Sequence, residues 1–258
     1  MGNMSQSESG TASLVAPPAV ILAAGQGERL NIQADGSLKP LTPLLGLTLI
    51  ERATLACQTA GAPDCYIVVG YRQEGMRGHI EALSRRYRMR LHVVSNPHWQ
   101  DGNGTSAGAV EPYVLGDFWL LMCDHVFDST ILTDLLSASQ TSGDCLLAVD
   151  HRTAEIFDPD DATKVRLNGR RITAIGKELA EYDAIDTGLF LCRPALFQAL
   201  KESQAAGDGS LSGGIRHLIA AGGMQAVSIG ERFWMDIDTP DSLIHAEQTM
   251  LAALIPRP

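Results

Sequence analysis

Short apolar runs rich in β-branched residues alternate with stretches of helical spacing through the first half of the chain. Residues 19–24 (AVILAA), 65–70 (CYIVVG), 118–123 (FWLLMC) and 145–150 (CLLAVD) are nearly all apolar. Runs of that length without alternation predict strands covered on both faces. Residues 91–95 predict a further strand. Between them, Leu49, Ile50, Ala53 and Leu55 recur at helical spacing over residues 48–60, and Gly61 supplies the stop. Residues 74–87 and 129–139 predict two more helices, and a glycine-rich loop at 102–108 leads into another. Strand and helix in regular alternation predict an α/β fold with a doubly wound, mostly parallel sheet.

The pattern changes at about residue 162. Residues 162–177 read as a hairpin with Asn168-Gly169 at its turn. A strand is predicted at 184–192, helices at 196–205 and 214–221, and a strand at 224–229. A closing helix over 241–254 starts after Thr239-Pro240. This second part predicts a small β-rich lobe. Residues 17–258 therefore read as one domain with halves at 17–150 and 151–258. The first sixteen residues are small and polar, without a basic segment or a long apolar core, and read as a disordered tail rather than a secretory signal; Gly2 alone is weak evidence of a lipid anchor.

Composition narrows the function. The formal net charge is −10, which argues against a nucleic-acid binder, because such proteins need clustered cations to displace counterions. The one basic cluster, Arg85, Arg86, Arg88 and Arg90, reads as a solvated helix end running into a strand. The five cysteines are odd in number and lack CxxC spacing, so they read as free buried thiols of a cytoplasmic protein. No apolar run approaches the roughly 20 residues needed to span a bilayer, so no stable membrane insertion is expected. A homodimer is compatible with the sequence.

Three chemically suggestive features fall at predicted strand ends, where ligands of open α/β sheets bind. The first is Leu22-Ala23-Ala24-Gly25-Gln26-Gly27 with Arg29 just beyond. Small residues let the backbone approach a ligand and its N–H groups cradle an anion, while Arg29 can neutralise phosphate bidentately. The run lacks both the GKS/GKT of a Walker loop and the third glycine of a dinucleotide fingerprint, and by itself it is equally a tight strand-to-helix turn. Lys39 follows ten residues later, placed as a compact cation for a transferring phosphoryl group; without the preceding loop it would read as a surface lysine. The second feature is Gly104-Thr105-Ser106, a binding loop or a helix N-cap, the two being compatible. The third is Asp124, a carboxylate at a strand tip suited to holding Mg²⁺ against phosphate oxygens. His125 beside it orients an acceptor or bonds a neighbouring loop, and is left out of the ligand set because Mg²⁺ prefers oxygen. Near the C-terminus, Asp236 and Asp238 alternate along a predicted short strand, so they should face opposite sides, with only one a direct ligand.

The LAAGxGxRL run followed by Lys39-Pro40-Leu41 resembles the signature of the sugar nucleotidyltransferase family. That resemblance implies a Rossmann-like nucleotidyltransferase fold, with residues 22–27 and 104–106 along the nucleotide and Arg29 and Lys39 as catalytic cations. It also favours Asp236 over Asp238 as the second metal ligand beside Asp124. Departures occur at Ser37-Leu38, at Gly46-Leu47-Thr48 and in a variable insertion at 31–36; Arg29 and Lys39 keep their places. More specific segments, NPHWQDGNGTS, LLMCDHVFD, IGKEL, YDAIDTG and FWMDIDTPDSL, resemble the CTP:inositol-1-phosphate cytidylyltransferases from about residue 19 to 254. That resemblance implies Mg²⁺-dependent transfer of CMP from CTP to inositol 1-phosphate, with 17–150 the nucleotide-binding half and 151–258 the acceptor-binding half. His125, Lys177, Asp186 and Thr187 would then contact the acceptor. A nucleotidyltransferase for another sugar 1-phosphate or for phosphocholine, and a non-catalytic nucleotide-sugar sensor, are the alternatives.

Overall fold

Strand β1 (Ala19–Ala23) is buried along its whole length, as a five-residue apolar run with covered faces requires. Val20, Ile21 and Leu22 each contribute about 1.5–3 kcal/mol of transfer free energy on leaving water. The computed structural model describes residues 14–30 and 38–254. The expected tail up to residue 13, the 31–36 insertion and Ser37 lie outside the described residues.

The other elements follow in order: β2 (Pro43–Leu44), β3 (Leu47–Thr48), α1 (Leu49–Thr59), β4 (Cys65–Val69), α2 (Gln73–Tyr87), β5 (Leu91–Ser95), α3 (Asn103–Gly108) and β6 (Phe118–Met122). Next come β7 (His125–Phe127), α4 (Thr130–Ser139), β8 (Cys145–Asp150), β9 (Lys164–Asn168), β10 (Arg171–Gly176) and β11 (Ala184–Cys192). The chain closes with α5 (Ala195–Ala205), α6 (Leu211–Ala220), β12 (Met224–Ser228), β13 (Trp234–Asp236) and α7 (Pro240–Leu254).

One nine-stranded sheet has the order β5-β4-β1-β6-β11-β8-β12-β10-β9. β5, β4, β1 and β6 run parallel, as do β8 and β12. β11 runs antiparallel between β6 and β8, so the α/β sheet is mixed at its centre. The β9–β10 hairpin, with Gly169 at its turn, continues the sheet at one edge, and β9 also pairs with β11.

Alternation along β1 sorts the core. Val20 and Leu22 pack on one face with residues of α3, α5 and α6, while Ala19, Ile21 and Ala23 pack on the other with residues of α1, α2 and α4. Helix starts obey local chemistry. Thr48 and Glu51 form a capping box on α1, and Ser210 caps α6, which starts earlier than its apolar spacing suggests. The arginine-rich segment is the expected helix end: α2 stops at Tyr87, Arg88 caps it, and Arg90 pairs with Asp64. The five cysteines are free and buried.

A third apolar cluster positions the site. Leu30, Leu44, Leu49, Val126, Met235, Ile237 and Ala246 pack together. They lie under the segment after β1, the β2–β3 hairpin, the β7–β13 ribbon and α7, so the acidic C-terminal segment is seated against the signature loop by hydrophobic burial.

Candidate active site

The chain leaves β1 through Gly25, Gln26 and Gly27 and turns at Glu28–Leu30. Gly27 has a φ of 67°, and a Cβ there would lie 2.4 Å from Lys39 Cβ. The loop therefore packs directly on the stem of Lys39, which only glycine permits. Lys39 stands at the head of a short 3-10 turn and is 9% exposed, so it is not the surface lysine its type suggests.

Its ammonium group lies between Asp124 and Asp238. Burial opposes the charge, but these carboxylates outweigh it and raise the Lys39 pKa above its ordinary value. Asp238 also holds Arg29, whose Nη1 donates to Asp161 at 2.6 Å, and Asp161 in turn holds Lys177. Asp124, Lys39, Asp238, Arg29, Asp161 and Lys177 thus form one chain of alternating charge. It runs from the tip of β6, past the signature loop, to the end of β10.

Asp124 follows β6, and His125 and Asp236 pair across the β7–β13 ribbon. The carboxylate oxygens of Asp124 and Asp236 and a ring nitrogen of His125 lie within 4.8 Å of one another. His125 Nδ1 lies 2.6 Å from the Thr187 carbonyl. A carbonyl can only accept, so this short contact puts the proton on Nδ1, which leaves the Trp234 indole N–H, 3.3 Å from the same nitrogen, without an acceptor there; Nε2 faces the carboxylates, 3.7 Å from Asp236 and 3.9 Å from Asp124. Asp236 Oδ1 is buried and has no hydrogen-bond partner. An orphaned carboxylate oxygen beside a second carboxylate and an oriented imidazole fits a divalent cation.

Two expectations change here. β13 ends at Asp236, so strand alternation does not govern Asp238, whose backbone N–H instead bonds Ser242 at the start of α7. Both aspartates therefore reach the cleft: Asp236 joins Asp124 and His125 in a cluster able to hold a cation, while Asp238 serves as counter-ion to Lys39 and Arg29. His125, left out of the ligand set on the sequence, has a ring nitrogen within 4.8 Å of oxygens of both Asp124 and Asp236.

A cavity of about 420 Å³ adjoins this cluster, lined among others by Arg29, Asp124, His125, Lys177, Asp186, Asp236 and Asp238. Asp186 sits in a bulge of β11, where its carboxylate accepts from Gly188 N at 2.7 Å. Bulges re-aim side chains in this way beside functional sites. Burial raises the Asp186 pKa to about 6. Thr187 differs from expectation: it is fully buried, its hydroxyl donates to Ala148 O at 2.8 Å, and it offers the site only the carbonyl that orients His125. Within the bulge, Asp186 takes the cleft side and Thr187 the core side.

Residues 22–27 and 104–106 do not line this cavity. Gly104 is needed for packing, since a Cβ there would lie 2.6 Å from Gly209 O. The Thr105 and Ser106 hydroxyls accept from the Asn96 amide at 3.0 and 2.9 Å, so both side chains serve the scaffold. Neither caps α3, whose N-cap is Gly102.

Sequence reasoning missed the connection between β8 and β9. Asp150 is buried and held by Arg152 at 2.9 and 3.0 Å. Phe157 stacks on His245 of α7 with ring centroids 4.9 Å apart, and Asp161 bridges Arg29 and Lys177. The acidic run FDPDD was the available signal.

The site predicts an inverted pH dependence. Burial foremost, then the neighbouring Asp124 and Asp238, raises Asp236 to about 7. A carboxyl whose folded pKa lies above its unfolded value stabilises the fold at low pH, and that stability is lost as pH rises through the folded value. Asp186, at about 6, acts in the same direction. With chelator present, the melting temperature should fall between about pH 4 and pH 7, and a divalent cation should restore it at pH 8. A melting temperature that is level or rising over that interval would exclude this ionisation scheme.

Comparison with known proteins agrees with the fold. The MobA-like NTP transferase domain matches residues 19–226. A "Bifunctional IPC transferase and DIPP synthase" of Rubrobacter xylanophilus is 38% identical over 90% of this chain and 52% of its own length. Its namesake from Aquifex aeolicus is 30% identical over 92% of the chain and 52% of its length. The chain thus spans about half the length of the curated relatives it matches. Among solved structures, the inositol-1-phosphate CTP transferase from T. maritima superposes with a TM-score of 0.78 at 26% identity, covering 94% of this chain and 99% of that one.

Proposed function

The chain belongs to the MobA-like NTP transferase family, and from that premise we propose that it transfers CMP from CTP to inositol 1-phosphate, releasing pyrophosphate and forming CDP-inositol. The observation that carries this reading is the convergence of Lys39, Asp124, His125 and Asp236 beside a cavity that also presents Lys177 and Asp186. The two relatives and the superposed structure named above support the choice of nucleotide and acceptor.

In this reading an acceptor phosphate oxygen attacks the α-phosphorus of CTP. A new P–O bond forms, the bond from the α-phosphorus to the bridging oxygen of pyrophosphate breaks, and the pyrophosphate carries that electron pair away. The attacking oxygen is already anionic near neutral pH, so no general base is required. The work of the protein is positioning and charge neutralisation. Lys39 leaves the carboxylates of Asp124 and Asp238 to meet the reacting phosphates, and Arg29 meets the triphosphate through the nitrogen that Asp238 holds and the acceptor phosphate through the nitrogen that Asp161 holds. Asp124 and Asp236 would hold a divalent cation, Mg²⁺ in this proposal, with the Nε2 of His125 beside them. When bound, it would draw negative charge from the phosphate oxygens. Lys177 takes the acceptor phosphate, and Asp186 accepts from hydroxyls of the polyol ring.

No helix among the described residues is long and apolar enough to cross a membrane, and the reading places the reaction in the cytoplasm. The deciding assay is pyrophosphate release with Mg²⁺ over a panel of CTP, UTP, GTP and ATP against inositol 1-phosphate, glucose 1-phosphate, mannose 1-phosphate and phosphocholine. Selective release with CTP and inositol 1-phosphate is expected. Preference for another pair would replace the substrates, and CTP binding without release from any pair would replace catalysis with sensing.

A further inference from the structure

The connection between β8 and β9 lines the cleft and lays one carboxylate between two cations from different parts of the fold. Asp161 Oδ2 accepts from Arg29 Nη1 at 2.6 Å, and its Oδ1 accepts from Lys177. Arg29 belongs to the loop after β1, whereas Lys177 directly follows β10. Each oxygen of one carboxylate takes one cation, so the pair marks a point where an anion with at least two acceptor oxygens is held. A phosphate monoester offers the same face with more charge and a third oxygen.

We propose that Asp161 is a resident stand-in for the phosphate of the acceptor, which displaces it from Arg29 and Lys177 on binding. This rests on the acceptor reading above. The exchange is of anion for anion, so neither cation is left unpaired before substrate arrives, and the loop is held in place meanwhile. Partial burial opposes ionisation of Asp161, but hydrogen bonds and charge from Lys177 and Arg29 prevail and keep its pKa below the ordinary range, so the stand-in is charged at neutral pH. The contacts are only half-exposed pairs, with side-chain exposures of 52% for Arg29, 49% for Lys177 and 31% for Asp161. Such pairs are weak enough for a dianion to displace.

The arrangement also discriminates. A polyol without phosphate has nothing to offer the two cations and must leave Asp161 in place, whereas its phosphate ester exchanges with it. The accompanying effect is a lower apparent affinity, reduced by the fraction of molecules in which the stand-in is undocked. Asp161 is on this account a positioning residue, acting through Arg29 and Lys177.

The test is calorimetric titration of the full chain with inositol 1-phosphate, with inorganic phosphate and with free inositol. Asp161→Asn keeps the size of the side chain and removes its charge, and should bind both phosphates roughly three- to tenfold more tightly than the parent chain. Its KM for the acceptor should fall by a similar factor with a smaller change in kcat. Lys177→Met should weaken both phosphates, and the gain from Asp161→Asn should shrink in its background. Free inositol should be indifferent to Asp161→Asn. Unchanged or weaker phosphate binding by folded D161N, or by D161S if the first variant fails to fold, would overturn the proposal and leave Asp161 a structural strap. Because inorganic phosphate is not specific to any acceptor, tighter phosphate binding by D161N without inositol 1-phosphate turnover would uphold the stand-in and remove only the acceptor reading.

Discussion

Lys39→Met is expected to lower kcat for pyrophosphate release by about 10²–10³-fold, the range seen when one preorganised charge or hydrogen-bond donor is removed from a transition state. Methionine keeps much of the apolar stem on which Gly27 packs, so the loop should hold its shape. What is lost is the ammonium group between Asp124 and Asp238. The fold should also lose about 1–3 kcal/mol at neutral pH, because removing one partner leaves the others partly desolvated and mutually repelling. That penalty should shrink when a divalent cation is added, since the cation supplies the missing positive charge. Steady-state kinetics and thermal melts with and without Mg²⁺ separate the two effects. A folded K39M enzyme with kcat within threefold of the parent would remove Lys39 from the reaction.

Asp236→Asn should abolish cation-dependent turnover by about three orders of magnitude, while making the chelator-treated protein more stable at pH 8. The signs differ for one physical reason. Asp236 sits among Asp124, Asp238 and a buried surround that together push its pKa to about 7, so its ionised form is disfavoured in the folded state. Its Oδ1 is buried without a hydrogen-bond partner. An amide removes the repulsion and also the charge that a cation needs. The measurement is a pair of melting curves at pH 8, in chelator and in Mg²⁺, for the parent and D236N. The parent should gain stability from Mg²⁺ and D236N should not. A variant less stable than the parent in chelator would refute the repulsion at Asp236, and one still stabilised by Mg²⁺ to the same extent would show that Asp236 is not a ligand carboxylate.

Much of the scaffold was legible because its signals are local. The runs at 19–24, 65–70, 118–123 and 145–150 become β1, β4, β6 and β8 with ends shifted by at most a residue, since a strand buried on both faces needs uninterrupted apolar side chains. Asn168-Gly169 points to the β9–β10 turn, but Asn168 ends β9 opposite Arg171, and the turn itself is Gly169 and Arg170, with Gly169 taking the positive φ. The β2–β3 hairpin was not legible. Its strands are two residues long, too short to carry a period, and Leu45 and Gly46 adopt positive φ within a segment that reads as part of a loop.

The site divides in the same way. Arg29, Lys39, Asp124 and Asp236 stand out in the sequence because charged residues at the ends of apolar strands or in glycine-rich turns are conspicuous on a linear string. Their electrostatic partners are not. Lys39 meets Asp238 across 199 positions and Arg29 meets Asp161 across 132. Those encounters depend on β11 inserting antiparallel beside β6 and on the β7–β13 ribbon being pinned by the cluster around Leu30, Val126 and Met235. Period-two reasoning put Asp236 and Asp238 on opposite sides, and it failed because β13 stops and a helix cap begins between them. Thr187 was assigned to the acceptor, and only the bulge in β11 shows that its hydroxyl belongs to the core while Asp186 takes the cleft. The sequence by itself determined which residues carry charge, which runs are buried and the order in which strands and helices follow. Tertiary structure alone decided which charges neutralise one another and which oxygen is left without a partner, because pKa values and cation sites depend on separation in space, and chain order does not encode it.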